Sequence, residues 1–147
     1  MSWATWQKLP TNRQGRLAAE NALMGNRCRY RGALGSSVIK IFQKTLASTG
    51  LTEKAAKAAN LSAQAVMVHS NNHASYYPNS ERIALKLVFS PADGRVLGAQ
   101  AFGPSGTEKR IDVIATAIVG WLTIYDLAGL DLTYAPPYSS ANDPVNM

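Results

Sequence analysis

The sequence contains little cysteine and no long apolar run, and each absence excludes a class of protein. Cys28 is the single cysteine among 147 residues, so no disulfide can form within the chain. No uninterrupted apolar stretch approaches the ~20 residues that a membrane-spanning helix needs. Residues 1–8 lack the apolar core and the cleavage site of a secretory signal peptide. We therefore expect a protein of the cytoplasm with no membrane partner.

Motifs for binding nucleotides and metals are absent as well. No GxGxxG sequence opens a strand–helix–strand unit, so we expect no dinucleotide-binding domain. The glycine-rich segments at residues 32–37 and 103–106 match no phosphate-binding loop and are explained as turns. His69 and His73 are four residues apart, but this region is predicted to be a strand and a loop with no cysteine or carboxylate close in sequence. We predict no metal site there and expect the histidines to anchor the loop.

The chain is basic, with 15 Lys and Arg residues against 9 Asp and Glu and a formal net charge of +6. Its densest basic cluster is Arg27, Arg29 and Arg31. A nucleic-acid partner, a smaller anion such as the phosphates of a nucleotide-like ligand, and a solvated loop without any ligand all account for this cluster. The other basic residues are scattered and no nucleic-acid-binding motif accompanies them, which argues against nucleic acid as the partner.

Length and composition predict one globular domain, because 46% of the residues are hydrophobic and 16% are charged. Apolar periodicity and capping residues predict two helices in the first two thirds of the chain, at residues 10–24 and 52–59. They also predict four strands, at residues 37–42, 65–69, 84–89 and 95–102. Residues 90–94 are predicted to form a hairpin turn. The expected fold class is α+β, a mainly antiparallel sheet of four to five strands with helices packed against it.

Helix-capping pairs recur in the C-terminal part of the chain. Three pairs at capping-box spacing predict helix starts: Ser105 with Glu108, Thr123 with Asp126, and Ser140 with Asp143. The helix at residues 108–122 carries two apolar stripes, one of Ile111, Ile114, Ala115, Ile118 and Leu122 and one of Val113, Ala117 and Trp121. Two apolar faces indicate burial on both sides, either against a partner subunit or wholly inside one domain.

The end of the chain, LTYAPPYSSANDPVN at residues 132–146, is its most distinctive segment. Pro136 and Pro137 fix their φ angles and remove two backbone donors, so the segment can continue neither a helix nor a central strand. Tyr134 and Tyr138 are then held on a stiff, extended backbone. From the residue types alone, the tyrosines either pack on the core with their hydroxyls hydrogen-bonded, or present a fixed phenol for chemistry.

This tail and four other segments together resemble one enzyme family. The four are NRQGR at residues 12–16, GSSVIKIF at 35–42, HASYYP at 73–78 and GTEKRIDV at 106–113. In this order they are similar to the C-terminal dimerisation domain of the FAD-dependent pyridine nucleotide–disulfide oxidoreductases, in the branch of coenzyme A-disulfide reductases, NADH oxidases and persulfide reductases. The resemblance covers residues 9–147 and leaves residues 1–8 as an N-terminal extension.

The resemblance implies a function and a set of partners. The chain would be part of a homodimeric oxidoreductase whose flavin-binding and nicotinamide-binding domains hold FAD and NAD(P)H, while this chain alone binds no cofactor. The substrate would be a coenzyme A disulfide, a persulfide or a related acceptor. In the family the redox-active cysteine belongs to the flavin-binding part of the polypeptide. Cys28 is therefore interpreted as incidental, and the isolated chain is expected to be inactive.

The resemblance also implies catalytic residues, which map by motif to Tyr76 and Tyr134. In coenzyme A-disulfide reductases the first tyrosine of each motif reaches from one subunit into the active site of its partner. A phenol there donates a hydrogen bond or a proton to a departing thiolate, which stabilises charge as the sulfur–sulfur bond breaks. We expect the two hydroxyls to converge on one open cleft.

Cofactor and substrate contacts are expected at two helix starts. The resemblance implies that Thr11 and Asn12 place backbone N–H groups near the flavin ring and that Arg16 meets substrate phosphates. The segment QKLPT at residues 7–11 replaces the glycine-containing run that is frequent in the family at this place. Lys109 and Arg110 follow a second helix start with a mild anion-binding geometry and are candidate substrate contacts.

A rival prediction from another class is a stand-alone basic binding module for nucleic acid or an anionic ligand. Tight nucleic-acid binding that falls steeply with salt would favour the module. A dimer without such binding would favour the reductase domain.

Overall fold

The computed structural model describes residues 8–147, with side chains from Thr11 onward, and divides the chain into two compact units, Met1–Gly35 and Ser36–Met147. The predicted domain boundary after residue 8 does not coincide with this division. The predicted extension at residues 1–8 lies almost entirely outside the described residues.

The first unit contains α1 (Lys8–Met24), which begins two residues before the predicted start. The helix stops at Gly25, whose φ of 78° suits glycine at the end of a helix. The chain then continues without regular structure. Asn21 holds this segment, because its Oδ1 accepts from the N–H of Cys28 and its Nδ2 donates to the Cys28 carbonyl, both at 2.9 Å.

The second unit is a five-stranded sheet with helices, in the chain order β1 (Ser37–Ile41), β2 (Lys44–Gly50), α2 (Glu53–Ala58), β3 (Gln64–Asn71), β4 (Arg82–Phe89), β5 (Val96–Gly103), α3 (Thr107–Val119) and α4 (Ile124–Ala128). The strand order in the sheet is β1-β2-β5-β4-β3, and all four neighbouring pairs are antiparallel. The predicted α+β class is confirmed. Among residues 8–147 no helix is both long and apolar enough to cross a membrane.

Strand β2 is the element that the sequence pattern did not predict. Thr45, Ala47 and Thr49 are its buried residues, and they alternate with exposed or half-buried ones as a strand requires. Because the buried positions carry small and partly polar side chains, the alternation is weak as a hydrophobic pattern. Pairing with β1 on one side and β5 on the other stabilises the strand.

Helix α3 packs on one face of the sheet, against β2 and β5. Its buried residues join those of the strands, α4 and the tail in one core: Ala47, Leu85, Val96, Ala99, Ala101, Ile111, Ile114, Ala117, Leu127 and Val145. Alanines on β2 and β5 allow the helix to lie close to the sheet. Burial of this apolar surface is the main source of the unit's stability.

The expected partner-facing stripe of α3 is wrong. Ala117 is 1% exposed inside the chain's own core, and Val113 packs against the same core. Only Trp121 of that stripe is largely exposed, at 69%, and it lies beyond the helix at a φ of 59°. The Arg95 guanidinium carbon sits 4.6 Å from the centre of its ring. The alternative interpretation, a helix wholly inside one domain, does not describe α3 either, because Asp112, Thr116 and Val119 leave one side of the helix exposed.

The capping predictions have mixed outcomes. Thr52 caps α2 and Thr123 forms a complete capping box with Asp126 at the start of α4, as predicted. The N-cap of α3 is Gly106 rather than Ser105, and no side chain caps it. Residues 140–143 form no helix, so the third capping prediction is wrong.

The sheet face opposite α3 carries an apolar row, which consists of Ile39, Leu46 and Phe102 at neighbouring register positions on β1, β2 and β5. Leu46 and Phe102 point away from α3 because the adjacent Ala47 and Ala101 face the core. The three side chains are 44–54% exposed. Within the second unit this row is therefore a half-exposed apolar surface.

Candidate active site

The loop between β3 and β4 presents Tyr76. Asn72 closes the base of the loop, because its N–H donates to the Glu81 carbonyl and its Oδ1 accepts from the Glu81 N–H, each at 2.9 Å. His73 is buried, lies 3.1 Å through Nε2 from the Pro78 carbonyl oxygen, and packs edge-on against Tyr77. The prediction that a histidine anchors this loop is confirmed for His73.

The tail presents Tyr134. The Tyr138 and Ser139 N–H groups both donate to the Ala135 carbonyl, so the chain turns at the two prolines. Ser139 is buried and its Oγ donates to the Thr133 carbonyl at 3.1 Å, which fixes the backbone on the other side of Tyr134. The segment is therefore a compact turn that its own hydrogen bonds hold, rather than the extended backbone that was predicted.

The two tyrosines meet within one chain. The hydroxyl oxygens of Tyr76 and Tyr134 lie 3.0 Å apart, and Tyr76 is 75% and Tyr134 48% exposed. The Ala74 N–H also donates to the Pro136 carbonyl at 3.2 Å, which ties the loop to the tail. The hydrogen bond with Tyr76 raises the pKa of Tyr134 above its ordinary value, and desolvation adds to this effect. Tyr134 therefore remains a neutral phenol, able to donate a proton, throughout the neutral range.

An open cleft of about 580 Å³ lies beside the tyrosine pair. Tyr134 and Tyr138 line it from the tail, and Ser105 and Lys109 line it from the start of α3. We call it the tyrosine cleft. Lys109 is half-buried in its wall, so one of the predicted cationic contacts shares a cavity with one of the predicted catalytic tyrosines.

Arg110, the neighbouring candidate, has a different role. The side chain is 1% exposed and forms an ion pair with Asp143, whose Oδ2 lies 2.7 Å from Nη2. Its other hydrogen bonds run to the carbonyls of Gly106 and Asn72. The expectation of a substrate contact at Arg110 is therefore corrected, because a guanidinium buried against its own chain cannot reach a ligand in the cleft.

The N-terminal candidates lie in the first unit. Thr11, Asn12 and Arg16 are exposed residues of α1. Thr11 and Asn12 lie in the first two turns of α1 (Lys8–Met24), and their side chains are accessible.

Cys28 does not have an activated thiol. A hydrogen bond to Glu20, with smaller contributions from desolvation and from the charge of Glu20, raises the pKa of Cys28. In the part of the chain that the structure describes, no group of three or more His, Cys, Asp and Glu side chains is arranged to hold a metal ion.

Sequence reasoning missed Asn72 and Asp143, the residues that connect the tyrosine loop and tail to α3. Asn72 precedes the HASYYP segment, and Asp143 was interpreted as part of a helix cap. Their partners are 33 and 38 positions distant from them in the sequence, so no local signal indicated the pairing.

Comparisons with known proteins agree with this fold. The family model of the pyridine nucleotide-disulphide oxidoreductase dimerisation domain matches residues 36–144. The coenzyme A disulfide reductase of Staphylococcus haemolyticus is 39% identical over 118 residues, which are 80% of this chain and 26% of the relative. That of Staphylococcus aureus is 32% identical over 136 residues, which are 92% of this chain and 31% of the relative.

Solved structures show the same similarity. Reduced CoADR-RHD of Bacillus anthracis has a TM-score of 0.89 at 50% identity over 94% of this chain and 25% of its own. An NAD-dependent persulfide reductase from A. fulgidus has a TM-score of 0.87 at 45% identity over 92% of this chain and 25% of its own. The water-forming NADH oxidase of Lactobacillus brevis has a TM-score of 0.85 at 31% identity over 91% and 30%. The chain thus spans about a quarter to a third of the length of these relatives.

Proposed function

Since the chain belongs to the dimerisation-domain family of the pyridine nucleotide-disulphide oxidoreductases, we propose that it serves an FAD- and NAD(P)H-dependent homodimeric enzyme that reduces a coenzyme A disulfide, a persulfide or a related acceptor. The observation that carries this proposal is the Tyr76–Tyr134 hydrogen bond at the tyrosine cleft. The relatives named for coenzyme A disulfide and persulfide reduction support the substrate class. The enzyme works in the cytoplasm.

The tyrosine pair acts as a proton donor to a departing sulfur. One hydroxyl donates to the other across 3.0 Å, and the second then directs its own O–H outward. When the redox-active cysteine thiolate of the flavin-binding part attacks one sulfur of the substrate, a mixed disulfide forms and the substrate S–S bond breaks. The leaving thiolate takes up the phenol proton or accepts its hydrogen bond. The raised pKa of Tyr134 keeps this phenol protonated in the neutral range, so the hydrogen bond between the two hydroxyls is present when the thiolate forms.

Anionic parts of the substrate bind to one cationic side chain in each of the two units. Lys109 in the wall of the tyrosine cleft offers an ammonium group to a phosphate or a carboxylate. Arg16 is exposed on α1 and offers a guanidinium, which pairs with phosphate through two parallel hydrogen bonds. Both residues act as substrate contacts, whereas Arg110 does not.

Flavin and nicotinamide bind to the other domains of the parent enzyme. Bound FAD supplies the transfer of electrons from the nicotinamide to the acceptor. The exposed side chains of Thr11 and Asn12 fit polar contacts to the flavin ring, since a hydroxyl and an amide both donate and accept hydrogen bonds. This chain by itself binds neither cofactor and is inactive. The domain spans residues 9–147, with residues 1–8 as an extension.

The apolar row is the surface that we assign to the rest of the parent enzyme. The relatives are three to four times longer than the part of them that this chain covers, so a large remainder of polypeptide is present to cover it. Three side chains that are half-exposed in this chain alone would be shielded from water in such an assembly: Ile39, Leu46 and Phe102.

The decisive experiment compares phenylalanine variants of the parent flavoenzyme. Tyr76→Phe and Tyr134→Phe should each lower kcat for disulfide or persulfide reduction by roughly 10²-fold. Because the two hydroxyls act as one donor, the double variant should be little worse than either single variant. Reduction of the flavin by NAD(P)H should be unchanged in all three.

Tyr125→Phe is the matched control. Tyr125 is 75% exposed, as is Tyr76, but it lies on α4 and lines a different cavity. Its replacement should leave kcat unchanged. Equal activity of the wild type and the Tyr76/Tyr134 double variant would reject the catalytic assignment. A yellow isolated chain that oxidises NADH would contradict the assignment of the chain as one part of an enzyme.

A further inference from the structure

The ion pair between Arg110 and Asp143 is the most deeply buried charged contact described in the second unit. The side chains are 1% and 5% exposed, and Nε and Nη2 of the arginine both donate to the carboxylate, at 3.1 and 2.7 Å to Oδ2. A buried pair of this kind adds little net stability, because desolvation of two charges offsets their attraction. Its presence in the core therefore requires another explanation.

The contacts of Arg110 join three segments of backbone. Nη2 donates to the Asn72 carbonyl at 3.0 Å, at the base of the loop that carries Tyr76. Nη1 donates to the Gly106 carbonyl at 2.9 Å, at the start of α3. Asp143 belongs to the tail that carries Tyr134, and its Oδ1 also accepts from the Val145 N–H. One planar guanidinium thus holds the loop, the tail and α3 together.

The same three segments are connected around the guanidinium by other groups. The Nδ2 of Asn72 donates to Ser105 Oγ at 2.9 Å, between the loop and the turn before α3. The Nδ2 of Asn146 donates to the Leu127 and Leu130 carbonyls and so fixes the end of the tail to the region of α4. Asp143 and Asn146 anchor the tail. The loop contacts the tail directly through the Ala74 N–H, which donates to the Pro136 carbonyl, and through the Tyr76–Tyr134 hydrogen bond.

We propose that the buried Arg110–Asp143 pair is a positioning device that holds the Tyr76 loop and the Tyr134 tail at the separation at which the two hydroxyls meet. The proposal deepens the function proposed above and rests on it. The donors of a guanidinium are fixed in one plane, so the acceptors on the loop, α3 and the tail are fixed relative to one another. A hydrogen bond of 3.0 Å between two exposed phenols is lost when its supports move by about 1 Å.

The test uses the 147-residue chain without flavin or substrate. Tyrosine labelled with ¹³C at Cζ is titrated by NMR, and the Tyr134 signal is assigned by its loss in Tyr134→Phe. In the native chain Tyr134 should titrate above the ordinary range, and Tyr76→Phe should lower its pKa. The variant Arg110→Met/Asp143→Leu should keep the fold, because apolar residues of similar volume replace a buried ion pair without loss of stability. Its Tyr134 pKa should equal that of Tyr76→Phe.

Two further variants make the result specific. Glu53→Gln/Lys86→Gln removes another ion pair of the same unit, between α2 and β4, and should leave the Tyr134 titration at its native value. Arg110→Lys keeps the charge but cannot reach all three acceptors, and it should lower the Tyr134 pKa as the double variant does. If the double variant does not fold, the Tyr134 titration of Arg110→Lys tests the proposal instead.

A native Tyr134 titration in a folded variant without the guanidinium would overturn the proposal, as would a Tyr134 titration that does not respond to Tyr76→Phe. Neither result depends on activity. The proposed function fails separately, if the phenylalanine variants of the parent enzyme retain full kcat.

Discussion

A Cβ atom on Gly98 would stand 2.1 Å from the carbonyl oxygen of Leu51 and 2.4 Å from its nitrogen. Leu51 begins the connection from β2 to α2, and its N–H donates to the Leu97 carbonyl at 2.8 Å. The neighbour that approaches Gly98 closely is therefore a backbone segment rather than a side chain. Because backbone cannot move aside as a flexible side chain can, glycine is required at this position.

Gly98→Ala should destabilise the isolated chain by about 3 kcal/mol, since the methyl group overlaps fixed backbone atoms. Urea unfolding followed by circular dichroism measures the change. Gly129→Ala is the control, because a Cβ there meets only ordinary contacts at 3.6 Å or more. Equal stability of the two variants would show that the Leu51 segment moves freely.

Ala117→Glu should unfold or strongly destabilise the chain, by about 3 kcal/mol or more, because it places an unpaired carboxylate in the core. Thr116→Glu, on the exposed side of the same helix, should change stability by no more than about 0.5 kcal/mol. Thermal unfolding and sedimentation separate stability from association. A stable, monomeric Ala117→Glu variant would restore the interpretation of α3 as a two-faced helix.

Thr123→Ala should lower stability by about 1 kcal/mol, since it removes one half of the capping box at α4. Hydrogen bonds from the Thr123 backbone N–H and then from its hydroxyl lower the pKa of Asp126. A lowered native pKa gives stability that is complete above the unfolded value and is lost as pH falls through the native value. The difference between wild type and variant should therefore shrink in acid, below about pH 4.

The tyrosine pair should affect stability at the opposite end of the pH scale. The native pKa of Tyr134 is raised, so its hydrogen bond with Tyr76 contributes fully below the unfolded pKa of about 10 and is lost as pH rises above it. Wild type should therefore lose stability more steeply than Tyr76→Phe above pH 10. Urea midpoints measured from pH 8 upward give the comparison, and parallel curves would mean that the hydroxyls are not bonded in solution.

Phe102→Ser should leave the unfolding midpoint of the isolated chain nearly unchanged, because the ring is half-exposed on the apolar row. It should weaken assembly of the parent enzyme, which is seen as loss of bound flavin on gel filtration. Val119→Ser is the control and should retain flavin, because Val119 is 69% exposed but does not belong to the apolar row. Full flavin retention by Phe102→Ser would remove the row from the assembly surface.

Local signals in the sequence determined much of the fold. The alternation in β4, the hairpin turn at residues 90–94 and the capping box at Thr123 each depend on residues close in the chain, and all were predicted correctly. The five motifs led to the family, and the resemblance led to the expectation that Tyr76 and Tyr134 converge. The strand, the turn and the capping box could be predicted because each is stabilised by interactions between residues that are close in the sequence.

Only the tertiary structure decided the rest. Strand β2 forms because two neighbouring strands pair with it, although its own side chains carry little apolar signal. Arg110 looks in sequence like a ligand contact beside Lys109, yet its partner is Asp143, brought from 33 positions away. A cationic side chain has no fixed partner in the unfolded chain. In the folded chain Arg110 is buried, so it pairs with the carboxylate that is buried beside it, that of Asp143. The sequence thus determined the elements of this domain that local signals specify. Long-range packing determined β2 and decided that Lys109 lines the tyrosine cleft whereas Arg110 is buried in an ion pair with Asp143.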